Sequence, residues 1–253
     1  MNRKTAEHLL LASVVAGGII LIVNRAHPAA VKAKNPSVAV PAPPKPAPVV
    51  TVPAPVSPLP TVPPKSAPVQ STRTRLVDLV EKAIYKEVPA RRLSPLASRT
   101  LAVNLVGVCL EHNYPLDLAF GHAFAESSLQ LTVRNPSSGA LGPLQVTPIA
   151  AKQVGVAWPT SSSLSQLEAG VKYMKWLRSA YPECGSSVRV TLQHYGMGRG
   201  NWLKYRAGQL TCTSSLSVVR AELGCPGNRP YSSTVIAIAK RHPELHTTSW
   251  WGS

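Results

Sequence analysis

Apolar side chains recur at intervals of three and four residues in the C-terminal part of the chain. Between residues 76 and 84 they form one continuous stripe, which stops near Pro89. This spacing places them on one face of a helix, because an α-helix has about 3.6 residues per turn. The segment therefore predicts an amphipathic helix.

Start signals predict three further helices. Ser94-Pro95 and Thr147-Pro148 each combine an N-cap residue with a proline suited to the first turn. The first of these helices should run to about His112, and the second should stop at Gly155. A helix between them is expected to open at Pro115.

Ser165 and Glu168 have the spacing of a capping box, which predicts a helix that begins there. Its buried face should consist of Leu167, Val171, Met174 and Leu177, and its water-facing side of Lys172, Lys175 and Arg178. Further apolar stripes predict helices over residues 187–195, 216–223 and 231–241.

Residues 133–146 do not follow the helical spacing. Two prolines and two glycines interrupt them, which predicts turns and short extended pieces. The expected fold class is therefore mainly α, with a small β excursion.

Residues 9–23 form an unbroken run of apolar and small residues with basic residues on both sides. At 15 residues the run is shorter than the about 20 that span a bilayer as a helix. We favour a membrane anchor over residues 1–27, and a signal peptide cleaved near Ala26 or Ala30 is the alternative. In both cases the rest of the chain is expected on the extracytoplasmic side, or at a virion membrane in a phage.

Residues 28–70 hold 14 of the 25 prolines and contain no glycine, aromatic or acidic residue. Proline fixes φ and removes a backbone donor, so the expected state is extended polyproline II. At about 3.1 Å per residue this spacer would reach on the order of 130 Å. Residues 71–253 remain as one folded domain, because they are rich enough in apolar residues to form a core.

The chain is strongly basic, with 27 Lys and Arg against 11 Asp and Glu. Residues 71–253 alone carry 20 basic and 10 acidic groups, a net charge of +10. Such a surface favours an anionic partner, for example nucleic acid, anionic lipid or anionic cell-wall polymer. No nucleic-acid-binding motif accompanies the charge, so we do not expect a nucleic-acid partner.

Glu126 is the strongest candidate for chemistry. It lies late in the helix predicted from Pro115, and it follows Phe120 and Phe124, the two phenylalanines of the chain. Apolar surroundings and the negative end of the helix dipole should both favour the protonated carboxyl group, which a general acid requires. The alternative from this segment alone is a surface glutamate at a frayed helix end.

Four motifs occur in one order over about 110 residues, and together they resemble the soluble lytic transglycosylase family, whose fold is lysozyme-like. They are AESS at 125–128, GALGPLQVTP at 139–148, HYGMGRG at 194–200 and YSSTV at 231–235. The segment around Gly170 and Tyr173 also resembles a helix of that family. The resemblance implies an α+β lysozyme-like domain that cleaves peptidoglycan.

The resemblance also implies roles for individual residues. Glu126 matches the family's catalytic acid, and Ser127 matches the serine that follows it. Gln145 matches a glutamine that lines the glycan cleft, Tyr195 the tyrosine of the third motif and Tyr231 the late tyrosine. The last four are therefore expected to bind substrate.

Three departures from the family pattern are visible. Pro143-Leu144 replaces Leu-Met, and the spacing from Glu126 to Gln145 predicts a one-residue insertion in the loop. Gly196 stands where the family has asparagine, so one side-chain amide is missing from the expected cleft. Glu126 itself is unaffected.

No second acidic residue accompanies Glu126 in sequence, since the next one is Glu168 and Asp117 lies nine residues before it. One carboxyl group suits an intramolecular displacement better than the two-carboxylate mechanism of ordinary glycosidases. The family implies that such a reaction forms a 1,6-anhydro ring on N-acetylmuramic acid. A goose-type lysozyme reaction, with water as the acceptor, is the alternative among enzymes.

No cofactor is expected. His122 and Glu126 share a helical face, but neither they nor the other histidines have the spacing of a zinc site. Residues 196–200 (GMGRG) lack the strand and the Lys-Ser/Thr ending of a phosphate-binding loop.

Four cysteines allow three pairings. We favour a disulfide between Cys212 and Cys225, with Cys109 and Cys184 either as a second bridge or as thiols. Such bridges are typical of an oxidising compartment.

Two functions of different class are consistent with these features. The first is a membrane-tethered enzyme that opens peptidoglycan locally, in bacterial secretion or conjugation machinery or in a phage virion. The second is a non-catalytic, glycan-binding scaffold, because a membrane segment followed by a Pro/Lys spacer also resembles TonB-type proteins. In either case the partners would be glycan strands, a membrane through residues 9–23, and an envelope-spanning or virion assembly.

Overall fold

The computed structural model describes residues 67–88, 93–248 and 250. This part of the chain is mainly helical, as expected. Its helices are α1 (Ala67–Glu87), α2 (Pro95–Glu111), α3 (Leu116–Ser127), α4 (Pro148–Gln153), α5 (Ser163–Ala180), α6 (Pro182–Gly185), α7 (Val188–Arg206), α8 (Ser217–Glu222) and α9 (Tyr231–Lys240), followed by a 3₁₀ turn at Pro243–Leu245.

Local capping explains where α2 and α4 begin. The Ser94 hydroxyl accepts the Ala97 N–H at 3.2 Å, and the Thr147 hydroxyl accepts the Ala150 N–H at 3.3 Å. In both helices a proline occupies the first turn, where its missing N–H leaves no donor unpaired. Both predicted starts are confirmed.

The predicted capping box at Ser165 is wrong. The N-cap of α5 is Ser162, whose hydroxyl accepts the Ser165 N–H at 3.3 Å, so the helix begins three residues earlier. Gln166 fixes this start, because its side-chain amide donates to the Thr160 carbonyl at 2.7 Å. Glu168 pairs one turn onward with Lys172 instead of reaching back to the helix start.

Helix α7 is longer than the predicted segment, which ended at residue 195. It continues to Arg206 across a break at Gly198, where φ is 75° and ψ is 151°. Glycine reaches this φ without strain, so the chain can bend here and resume its helix. The GMGRG segment is therefore a helix kink, and the Trp202 indole N–H spans it by donating to the Gln193 side chain at 3.1 Å.

Helix α3 lies at the centre of the core, and most of its residues are buried. Its closest approach is to α9. A Cβ atom on Gly121 would lie 2.5 Å from the Val235 carbonyl oxygen, so only glycine permits this contact. The close packing brings the first residue of α9, Tyr231, against the end of α3.

The segment predicted as turns and extended pieces forms two isolated antiparallel bridges, Arg134 with Leu141 and Leu141 with Val146. Within the described residues these bridges do not extend into strands. The β excursion is thus limited to a hydrogen-bonded loop in front of α4.

The predicted anchor and most of the spacer lie outside the described residues. Helix α1 begins at Ala67, so it includes the last four residues of the segment interpreted as spacer. Of the helices that are described, none combines the length and the apolar character needed to cross a bilayer.

Cys212 and Cys225 form the predicted disulfide, with their Cα atoms 5.7 Å apart. The alternative of a second bridge is wrong, since Cys109 and Cys184 are buried free thiols. Each thiol is enclosed by packing in its own helix, α2 or α6. Burial raises the pKa of Cys109 strongly and that of Cys184 to about 11, so both stay protonated at neutral pH.

Candidate functional site

Glu126 and Tyr231 meet at the centre of the candidate site, although 105 residues separate them in sequence. The Tyr231 hydroxyl donates to Glu126 Oε1 at 2.6 Å. The Glu126 side chain is 16% exposed, whereas Tyr231 is buried. The carboxyl group therefore lies at the edge of the core with one oxygen held from inside.

Tyr231 remains a hydrogen-bond donor at any pH at which the protein would work. Burial, and then the nearby Glu126 carboxylate, raise the pKa of Tyr231 well above its usual 10. The phenol thus keeps its proton, and its hydrogen bond to Oε1 is charge-assisted whenever Glu126 is ionised.

His122 lies one helical turn before Glu126 and is completely buried. Its Nε2 is 3.7 Å from Glu126 Oε1, the same oxygen that Tyr231 contacts. Its ring packs edge-on against Tyr195, with the ring centroids 4.3 Å apart, and near Tyr231 at 6.1 Å. Neither ring nitrogen has a hydrogen-bond partner among the described residues.

Tyr195 connects α7 to the bridged loop before α4. Its hydroxyl donates to the Leu144 carbonyl at 2.7 Å, and its ring covers His122. Burial and the charge of Glu126 raise its pKa well above 10, so it also remains a donor. The structure thus brings Tyr195, Tyr231 and Glu126 into one cluster around His122.

Gln145 supports the loop from within. Its side-chain N–H groups donate to the carbonyls of Val133 and Gly142, at 3.1 and 2.9 Å. Its backbone has a φ of 47°, in the left-handed region. Both amide donors are therefore used inside the loop, which leaves the side-chain oxygen as the group that can face a ligand.

Ser127 is not directed toward Glu126. Its hydroxyl donates to the Ala123 carbonyl of its own helix at 2.9 Å, and the residue is buried. The contact holds the last turn of α3, so the structure does not bring Ser127 together with the other predicted site residues.

The packing around Gly196 explains why this position carries no side chain. A Cβ atom at this position would lie 2.9 Å from Val218 Cγ2 and 3.1 Å from the ring of Tyr231. The bare backbone of α7 therefore lets the Tyr231 ring and α8 approach closely.

Glu222 belongs to the site's support, and sequence reasoning missed it. Its Oε1 accepts the Ser232 N–H at 2.7 Å, and its Oε2 accepts the Ser232 hydroxyl at 3.0 Å and the Gln193 amide at 2.8 Å. The N-cap position of α9 is Pro230, which offers no side-chain oxygen. A helix start without a local acceptor was the signal that another residue must cap it.

Two other acidic side chains, Glu222 and Asp117, are already engaged in contacts of their own. Glu222 uses both oxygens at the start of α9. Asp117 lies at the opposite end of α3, where its Oδ2 is 3.0 Å from His246 Nδ1. Neither of these two carboxylates is therefore available as a partner for Glu126.

A small pocket of about 50 Å³ adjoins Tyr231. Its apolar wall comes from Ala125, Val218 and Ala221, and Asn228 and Arg229 provide polar groups. A wider groove lies elsewhere and is lined entirely by α1 residues between Ser71 and Tyr85, so it does not belong to this site.

The described residues contain no group of three or more His, Cys, Asp or Glu side chains placed to hold a metal ion. Comparison of the chain with protein-family models, curated proteins and solved structures gives no match.

Proposed function

We propose that this protein is a peptidoglycan lytic transglycosylase with a lysozyme-like domain, in which Glu126 is the general acid and base. The observation that carries the proposal is the hydrogen bond from the buried Tyr231 hydroxyl to Glu126 Oε1. A partly exposed carboxyl group with one oxygen held by a buried donor has its other oxygen available for proton transfer. A carboxyl oxygen of this kind can carry the proton that general acid–base catalysis transfers.

In the proposed reaction, Glu126 gives its proton to the oxygen that links N-acetylmuramic acid to N-acetylglucosamine. The bond from that oxygen to C1 of the muramic acid breaks, and positive charge develops at C1. The ionised Glu126 then takes the proton from the C6 hydroxyl of the same muramic acid. The C6 oxygen bonds to C1, which closes the 1,6-anhydro ring and restores the acid.

The engagement of Glu222 and Asp117 in other contacts supports this intramolecular route. A retaining glycosidase needs a second carboxylate as nucleophile, and an inverting one needs it as base for water. Both oxygens of Glu222 are hydrogen-bonded to α9 and Gln193. The goose-type alternative uses the same acid but with water in place of the C6 hydroxyl, so the product distinguishes the two.

The test is digestion of purified sacculi by the full-length protein in detergent, followed by mass spectrometry of the fragments. We expect anhydro-ended muropeptides from the native protein and at least about 10²-fold slower release from Glu126→Gln. Glu168→Gln is the matched control, because Glu168 lies on α5, away from Glu126, and pairs there with Lys172. Reducing ends would indicate lysozyme chemistry, and binding without cleavage would indicate the non-catalytic scaffold.

We further propose that residues 9–23 attach the protein to a membrane and that the Pro-rich spacer presents the domain to the wall. Deletion of residues 41–64 removes about 75 Å of polyproline II reach. It should weaken wall opening in cells but leave the activity on isolated sacculi unchanged. Equal loss in both assays would argue against a spacer role.

A further inference from the structure

His122 is a buried polar side chain without a visible purpose in the fold. It is completely enclosed, and neither ring nitrogen has a hydrogen-bond partner among the described residues. Burying an unpaired polar group destabilises a protein, and leucine at the same place would avoid the loss. A histidine here is therefore better explained by its position beside Glu126 than by packing.

The Tyr231 hydroxyl and the His122 ring both approach one oxygen of Glu126. The Tyr231 hydroxyl is 2.6 Å from Oε1, and His122 Nε2 is 3.7 Å from the same atom. The second distance is about 0.7 Å longer than an ordinary N–H···O hydrogen bond of about 3.0 Å. A shift of that size would bring Nε2 within hydrogen-bond distance of Oε1.

We infer that His122 is a positioning residue whose Nε2–H stabilises ionised Glu126 at Oε1, so that Oε2 is the oxygen that carries and transfers the proton. This inference rests on the proposed function, because the task given to Oε2 presupposes proton transfer to a substrate. The distances from Oε1 to Tyr231 and His122 do not depend on that function. The inference assigns the two oxygens of Glu126 different tasks: Oε1 receives two protein donors, and Oε2 faces the substrate.

The titratable groups close to His122 come from three helices. Its own helix contributes Glu126, α7 contributes Tyr195 and α9 contributes Tyr231. Burial raises the pKa of both tyrosines well above 10, so neither changes charge near neutral pH.

The other titratable groups packed on α3 face its opposite end. His246 pairs with Asp117 at 3.0 Å, and the His242 ring lies 4.9 Å from that of Phe120. The pKa of Cys109 is raised by burial and by the charge of Asp117, so this thiol is also associated with the start of the helix. These groups provide no competing charge in direct contact with His122.

The experiment follows the Glu126 carboxyl carbon by NMR in the full-length protein, labelled with ¹³C-glutamate and assigned with Glu126→Gln. His122→Leu removes the donor, whereas His122→Gln keeps an N–H close to the place of Nε2. We expect the leucine variant to move the titration midpoint upward by about 1–2 pH units, the effect of losing one hydrogen bond to the anion. The glutamine variant should stay close to the native midpoint.

The matched control is His112, whose Nε2 lies 3.7 Å from Glu168 Oε1, the same separation on a different carboxylate. His112→Leu should leave the Glu126 midpoint unchanged. An unchanged or lowered midpoint in His122→Leu overturns the inference, because a lowered one means that Nε2 accepts a hydrogen bond from the protonated carboxyl group. If the leucine variant does not fold, ¹⁵N shifts of the native ring decide: a protonated Nε2 supports the inference, and a bare Nε2 overturns it.

A failure of the proposed function gives a different result from a failure of the His122 inference. A native protein that does not cleave sacculi contradicts the enzyme proposal, yet the titration still tests the link between His122 and Glu126. Cleavage with no midpoint change contradicts the His122 inference alone. When both hold, His122→Leu should also move the alkaline limb of the pH–rate profile upward, while His122→Gln restores it.

Discussion

The carboxylate of Glu222 accepts the backbone N–H of Ser232 at 2.7 Å, at the first turn of α9. Ser232 directly follows Tyr231, whose hydroxyl contacts Glu126. Glu222 thus fixes the start of the helix that carries the donor to Glu126. Since the positive end of the helix dipole lies at this start, a carboxylate is the favoured cap.

Replacing Glu222 with alanine should therefore affect both stability and activity. The Ser232 N–H and hydroxyl and the Gln193 amide lose their acceptor, which should lower the free energy of unfolding by about 1–3 kcal/mol. Turnover should fall as Tyr231 loses its fixed position. Denaturant unfolding and sacculus digestion measure the two effects. Glu111→Ala, at an exposed position, is the control, and equal behaviour of both variants would contradict the capping role.

Tyr231→Phe tests the donor itself. The change removes one hydroxyl and keeps the ring against Gly196 and His122. A hydrogen bond to a charged group contributes about 1.5–3 kcal/mol, so turnover should fall by roughly 10- to 100-fold. The melting temperature should also fall, because the same hydrogen bond stabilises the folded state. Tyr85→Phe, on the exposed side of α1, should keep full activity, and a similar loss in both variants would count against a specific role for Tyr231.

Local features of the sequence predicted the start of α2 and α4, because a capping side chain and a proline act within one turn. The start of α5 was misassigned because Ser162 and Ser165 are both chemically suitable caps. Gln166 decides between them through its contact with Thr160, which no pattern of apolar residues reveals. Helix propensity likewise did not show that α7 resumes after Gly198.

The candidate site, too, could be predicted only in part from the sequence. The local sequence around Glu126 suggested an acid at the end of an apolar helix, but it could not supply partners from α7 and α9. Tyr195 and Tyr231 were proposed through motif order alone, and the structure brings both to the cluster. Sequence analysis missed Glu222 because its partners are a backbone N–H and side chains on other helices.

The burial of His194 should make the stability of the fold depend on pH. It is buried between Tyr181 and Trp202, and burial lowers the pKa of its ring below the ordinary 6.5. The Glu183 carboxylate opposes this shift, and Arg199 adds to it. The unfolded chain therefore binds this proton at a higher pH than the folded one does. Stability from neutral His194 is present above about pH 6.5 and is lost as the pH falls through the lowered value.

Denaturant unfolding at several pH values between 5 and 8 measures this loss. His194→Gln should flatten the decline on the acid side, whatever its own effect on absolute stability. His112→Gln, which changes a histidine that is only partly buried, is the control and should retain the native slope. An unchanged slope in His194→Gln would show that other groups cause the acid sensitivity.

Gly196→Asn restores the residue that the resembling family has at this position, and it should nevertheless harm this protein. The new Cβ would lie 2.9 Å from Val218 and 3.1 Å from the Tyr231 ring, so α8 or the ring must shift. Overpacking of this kind costs about 1–3 kcal/mol. Because Tyr231 is one of the groups displaced, turnover should fall together with the melting temperature.

The control for this change is Gly200→Asn in the same helix, where a Cβ would meet nothing within 4 Å. Asparagine has a slightly better helix propensity than glycine, so this variant should be as stable as the native protein. Thermal unfolding and sacculus digestion of both variants separate packing from chemistry. If Gly196→Asn instead increases activity, the missing amide matters more for substrate binding than the close approach of Tyr231 to α7, and the site tolerates a wider spacing than the structure has.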